Sequence, residues 1–97
     1  MTARSSVDRL LAPVFAWFAG TRNAWDTSLE YWRVRRELMD AGEVFDAPAG
    51  TYLSNIDTAM DSFSPEPDRD PDQIDEAQLR FEVEVAIARL RELGLVE

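Results

Sequence analysis

An all-α fold, a small antiparallel four-helix bundle, is predicted for this chain by three observations. Four stretches carry apolar residues at helical spacing, three of them run into a glycine placed to stop a helix (Gly20, Gly42 and Gly94), and the connectors are short. Its 97 residues, 45% of them hydrophobic, are enough for one core and imply a single domain over residues 1–97.

Ser5 or Ser6 is the expected cap of the first helix, which carries Val7, Leu10, Leu11, Val14, Phe15 and Phe18 to Gly20. Pro13 interrupts this pattern, because it lacks a backbone donor and its ring crowds the carbonyl four residues back. Either the helix kinks there, the preferred reading, or it ends at Ala12 and a new one begins with Pro13 in its first position. Thr21 is the expected N-cap of the second helix, with Trp25, Leu29, Trp32, Arg36 and Met39 as its inner stripe. Arg33, Arg35 and Arg36 lie near its C-terminal end, where cations oppose the helix dipole, and read as solvated partners of Glu30, Glu37 or Asp40. Trp17, Trp25 and Trp32 read as core, since large aromatics in a small domain mainly supply buried area.

After an irregular stretch with Pro48 and Gly50, a third helix from Thr51 puts Leu53, Ile56, Ala59, Met60 and Phe63 on one face and ends before Pro65. The fourth has the clearest local signals. Asp75 is its N-cap, Gln78 completes a capping-box-like arrangement, and Ile74 with Leu79 forms a hydrophobic staple. Leu79, Val83, Ala86, Ile87 and Leu90 make its core stripe, which Phe81 and Val85 widen as if for two neighbours. Gly94 is the left-handed residue of a Schellman ending, with Leu95 set to touch Leu90.

Composition narrows the function. Cysteine and histidine are both absent, so thiol and imidazole nucleophiles, the usual general base near neutral pH and the commonest zinc ligands are missing. A non-enzymatic protein without a cofactor is expected. A net charge of −9 repels nucleic acid, whose binding depends on neutralising phosphates. The longest apolar cluster, residues 10–19, is broken by Pro13 and no secretory signal opens the chain, so a soluble cytoplasmic protein with no membrane partner is the expectation. A monomer is the default.

Residues 61–76 read DSFSPEPDRDPDQIDE, with seven carboxylates, three prolines and one arginine, and hold −6 of the total charge. The prolines stiffen the backbone, so the carboxylates are displayed on a shaped loop that suits a basic partner. Asp68, Asp70 and Asp72 repeat as the first ligands of an EF-hand do. The match then fails: Gln73 stands where glycine is needed, Leu79 where a bidentate carboxylate is needed, and Pro71 lies inside. No metal site is assigned. Charge alone is equally compatible with a solubilising connector.

Spacing is more specific than charge. The run Phe63-Ser64-Pro65-Glu66-Pro67-Asp68-Arg69, then Gln73-Ile74-Asp75-Glu76, Leu79, Arg80 and Glu82-Val83, resembles the colicin D immunity protein family, whose pattern reads F-x-P-[DE]-x-D-R followed by an I-D-[DE] helix start. The order of an apolar first helix, a tight turn at residues 20–22 and an arginine-rich second helix is similar too. Ser64 and Gln73 stand where a similar member of that family carries acidic residues, whereas Asp70 and Asp72 add carboxylates here.

The resemblance implies a small helical bundle that protects the producing cell by blocking the active site of its own toxin, a ribonuclease that cuts the anticodon loop of transfer RNA. Motif matching gives contact roles to Glu66, Asp68, Asp75 and Glu76, with Asp61 one turn before the loop as a further contact. Asp70 and Asp72 join them on charge alone. Arg69 is expected to brace the loop by pairing with neighbouring carboxylates, and Phe63 and Ile74 to anchor its ends in the core. The alternative is an acidic helical adaptor or regulatory subunit for another basic protein.

Overall fold

The computed structural model describes residues 3–97 and consists of four helices: α1 (Ala3–Phe18), α2 (Ala24–Asp40), α3 (Ala49–Ser62) and α4 (Glu76–Glu92). The predicted all-α four-helix bundle is the observed fold. α1 packs along α2, α3 packs along α4, and buried side chains of all four helices meet in one cluster. Val7, Leu10, Leu11 and Val14, Leu38, Leu53 and Ile56, and Leu79, Val83 and Leu90 are its best-buried aliphatics. Each such side chain contributes about 1.5–3 kcal/mol on leaving water.

The three glycine stops operate by one mechanism. Gly20, Gly42 and Gly94 take φ of 86°, 81° and 77°, which a residue with a Cβ rarely adopts. The amides of Thr21, Glu43 and Leu95 then donate back to the carbonyls of Ala16, Leu38 and Leu90 at 2.9–3.1 Å, closing three Schellman endings.

Helix starts depart further from expectation. α1 is already helical at Ala3, so neither Ser5 nor Ser6 is its cap. Ser6 is buried and its hydroxyl donates to Glu43 Oε1 (3.1 Å), so a residue type read as a cap instead joins α1 to the end of α2. Pro13 is buried within an unbroken α1, which excludes the two-helix alternative. Asn23, not Thr21, caps α2: its Oδ1 accepts from the Asp26 amide at 2.8 Å, while the Thr21 hydroxyl donates to Ala16 O and belongs to the end of α1.

The inner face of α2 is also different. Ala24, Thr27, Ser28, Tyr31, Val34 and Leu38 are buried, while Trp25, Leu29 and Met39 are about half exposed, at 47, 52 and 49%, and Arg36 is exposed. Small residues won the interior because their hydroxyls are satisfied locally: Thr27 donates to Asn23 O and Ser28 to Trp25 O, both at 2.8 Å. Of the three tryptophans, Trp17 is buried and Trp32 packs at the core's edge. Trp25 does neither. On α1 Phe15 is exposed and Phe18 half-buried, and on α4 Phe81 and Val85 are exposed at 61 and 45% rather than packed against a second neighbour.

α3 begins at Ala49 and its expected face is buried, with Phe63 an extended but buried residue after the helix end. Before it, Gly50 is demanded by space, because a Cβ there would lie 2.2 Å from the Phe45 carbonyl oxygen. α4 matches its reading closely: Asp75 Oδ1 accepts from the Gln78 amide at 2.9 Å, and all five stripe residues are buried. Among the described residues no helix is long and apolar enough to cross a membrane.

Candidate functional site

The segment between α3 and α4 is a loop tied at its base. The Ile74 amide donates to Ser62 O (2.9 Å) and the Ser64 amide donates to Ile74 O (3.1 Å), forming a parallel bridge between Phe63 and Ile74. Phe63 is buried and Ile74 packs against the core, so the two ends are anchored as the sequence predicts. A loop whose ends meet and whose interior bonds to itself is an Ω-type loop.

Two neutral side chains shape it from within. Buried Ser64 accepts the Glu66 amide on its hydroxyl (3.3 Å). Gln73 Oε1 accepts the Asp70 amide (2.8 Å), and the Gln73 amide donates to Asp70 O (2.9 Å). Arg69 is a brace of a different kind from that expected. Its Nε donates to Ser64 O (3.4 Å), and among the described residues this half-buried side chain pairs with no carboxylate.

All seven candidate carboxylates, Asp61, Glu66, Asp68, Asp70, Asp72, Asp75 and Glu76, are exposed. Among the described residues none lies within ion-pair distance of an arginine, although arginines elsewhere hold Glu30, Glu37, Asp57, Glu84, Glu92 and Glu97. Asp75 alone has a second duty, as the α4 cap. Glu76 lies in the first turn of α4, where the helix dipole favours it; Asp61 lies in the last turn of α3, where the dipole opposes it. Among the described residues no three acidic side chains converge to hold a metal ion, and Asp68, Asp70 and Asp72 are displayed separately.

Trp25, misassigned to the core by its seven-residue spacing from Trp32, stands beside this loop. Its ring lies 6.5 Å from that of Phe63, and both line two adjoining clefts together with Ser64 and Pro65. One, of about 280 Å³, is completed by Asn23, Ala24, Arg69 and Glu76. The other, of about 560 Å³, is completed by Glu66 and Gln73. The available signal was position: Trp25 directly follows the α2 start, at the end of the bundle where the loop sits.

A buried polar group between α2 and α3 also escaped the sequence reading. Tyr31 donates to Asp57 Oδ1 (2.5 Å), and Arg35 donates from Nε to both Asp57 oxygens (3.2 and 3.3 Å). Burial foremost, then the Asp57 charge and hydrogen bond, raises the Tyr31 pKa far above its ordinary value and keeps the phenol a donor. Arg35 is therefore no solvated helix-end charge. Arg33 is, bonding to Glu30 and Glu37 as expected. A cleft of about 710 Å³ beside Arg35, lined by Met39, Val44, Phe45 and Ser54, is remote from the acidic loop, and its arginine is already engaged by Asp57. No protein-family model, curated protein or solved structure matches this chain.

Proposed function

We propose that this chain is an immunity protein, a non-catalytic inhibitor that covers the basic active site of a cognate ribonuclease toxin with its acidic loop. One observation carries the reading: a cluster of exposed carboxylates on a loop tied at its base, left without cationic partners in a protein that pairs many of its other acidic groups. An RNA-cutting site presents lysines and arginines to phosphates, and carboxylates held in a fixed line can occupy the same positions. Opposite potentials also speed the encounter, so that toxin is captured before it meets RNA. The F-x-P-E-x-D-R spacing supplies the partner class, a colicin D-like nuclease that cuts transfer RNA.

The test mixes the purified protein with the basic C-terminal domain encoded by a neighbouring toxin gene and follows cleavage of transfer RNA. Cleavage should stop at equimolar inhibitor, binding should weaken as salt rises, and Glu66→Lys with Asp68→Lys should weaken it by about 30-fold or more. Undiminished cleavage would overturn the proposal. Salt-sensitive binding to a basic domain without protection of RNA is the outcome that favours an acidic adaptor.

A further inference from the structure

We infer that the cleft between Trp25 and the acidic loop seats an arginine side chain of the protein partner, its guanidinium lying on the Trp25 ring and reaching the Glu66 carboxylate. This rests on the reading of the loop as a surface for a basic protein and adds the chemistry of its central contact.

The protein already builds this kind of seat twice for its own arginines. Arg80 lies 4.6 Å from the Phe18 ring centroid and 6.0 Å from that of Trp17, and pairs with Glu84 at 2.8 Å. Arg35 lies 5.7 Å from the Phe45 centroid and pairs with Asp57. Each seat combines an aromatic face with a carboxylate beside it. The loop cleft repeats the combination, with Trp25 packed on Phe63 and Glu66 lining the same cleft, but among the described residues no guanidinium lies over either ring. Arg69 lines only the neighbouring cleft, where it is bonded to Ser64 O.

Complementarity selects the occupant. An arginine stem can cover Phe63 and Pro65 while its planar head stacks on the indole and still forks toward a carboxylate. A lysine brings a compact, strongly hydrated charge that stacks less well. An anionic or purely aliphatic group would leave Glu66 unanswered. A half-exposed tryptophan beside such a cleft also has the character of an interface anchor.

The experiment needs no toxin. Indole N–H resonances of ¹⁵N-labelled protein are followed at low salt while capped hexa-arginine or hexalysine is added, with Trp25→Phe used to assign the Trp25 signal. Hexa-arginine should shift the Trp25 indole and the Glu66 amide together and saturably, leaving buried Trp17 unmoved, and hexalysine should bind several-fold more weakly. Glu66→Gln, which removes no packing, should weaken hexa-arginine about three- to tenfold. The inference is overturned if the amides of Asp68, Asp70 and Asp72 shift while the Trp25 indole does not, or if hexalysine moves that indole equally well. Either result leaves the inhibitor proposal standing on its carboxylates, whereas undiminished RNA cleavage would sink that proposal without touching the Trp25 result.

Discussion

Tyr31 is fully buried, and its hydroxyl donates to Asp57 from α3 at 2.5 Å, with the Leu53 carbonyl a longer acceptor at 3.5 Å, while Arg35 balances the carboxylate. Removing one member of such a group strands the others, which costs more than the bonds themselves contribute. Asp57→Ala leaves the buried hydroxyl with only its long bond to Leu53 O, strands a half-buried guanidinium, and should cost about 2–4 kcal/mol in urea unfolding; Tyr31→Phe keeps the Arg35–Asp57 pair and should cost about 1 kcal/mol. The Tyr31 shift also sets a pH dependence. Its folded pKa lies above the unfolded value of 10.0, so above that pH the unfolded chain releases a proton that the folded one retains. Stability should therefore fall by about 1.4 kcal/mol per pH unit above pH 10 in the native protein, and Tyr31→Phe should remove that component of the slope. Identical alkaline slopes in the two proteins would contradict the assignment. Asp75 invites a different separation at the other end of the molecule. Asp75→Asn keeps the cap and removes the charge, so it should leave stability within about 0.5 kcal/mol, while Asp75→Ala should cost about 1 kcal/mol.

At the scale of the element, α4 and α2 show what makes a helix legible. In α4 the five residues of the expected core stripe are the buried ones, with only Phe81 and Val85 left outside, so periodicity identifies the inner face. In α2 the large apolar residues and the buried ones only partly coincide: Trp25, Leu29 and Met39 outweigh Ala24, Thr27 and Ser28 in a hydrophobic pattern, yet the small residues are inside, together with Tyr31, Val34 and Leu38. Size decided this, since a helix bearing alanine, serine and threonine can approach its neighbour closely and local hydroxyl bonds remove the cost of burying them. Leu29→Glu and Met39→Glu should accordingly change stability by no more than about 0.5 kcal/mol, whereas Ser28→Leu should cost about 1–3 kcal/mol through overpacking. Chemical denaturation of the three variants checks the assignment. The loop was legible in its ends and its charge, because Phe63, Ile74 and the α4 cap are local signals. The target of Arg69 and the neighbours of Trp25 were not, because both depend on how α2 and the loop meet in space. Nor did sequence reveal why positions 64 and 73 are neutral: Ser64 is buried under the loop and Gln73 accepts the Asp70 amide, so both side chains hold shape. Ser64→Asp should destabilise the fold by about 1–3 kcal/mol through burial of an unpaired charge.

For the whole molecule, charge is divided by task. All ten cations are arginines, and most of those on the helices tie down acidic partners or lie on aromatic rings, as Arg9 does with Glu37, Arg35 with Asp57 and Arg80 with Glu84 and Phe18. What remains, most of a net −9, is concentrated on one loop at one end of the bundle. Such a distribution opposes the compact state through self-repulsion and favours encounter with a positive surface. The side chains of Glu66, Asp68, Asp70 and Asp72 form no ion pair within the described residues, so removing their charge breaks nothing that holds the fold. The combined variant Glu66→Gln, Asp68→Asn, Asp70→Asn and Asp72→Asn takes the net charge from −9 to −5 while keeping every side chain's shape. Its stability at low salt should equal that of the native protein or exceed it by up to about 1 kcal/mol, the increment vanishing near 1 M salt where screening acts within about 3 Å. Association with a basic domain should slow by about tenfold or more at low salt, and the two proteins' rates should converge as salt rises. A quadruple variant that unfolded more readily at every salt concentration would mean that these carboxylates hold the loop together, and the division between paired structural charge and unpaired displayed charge would be wrong.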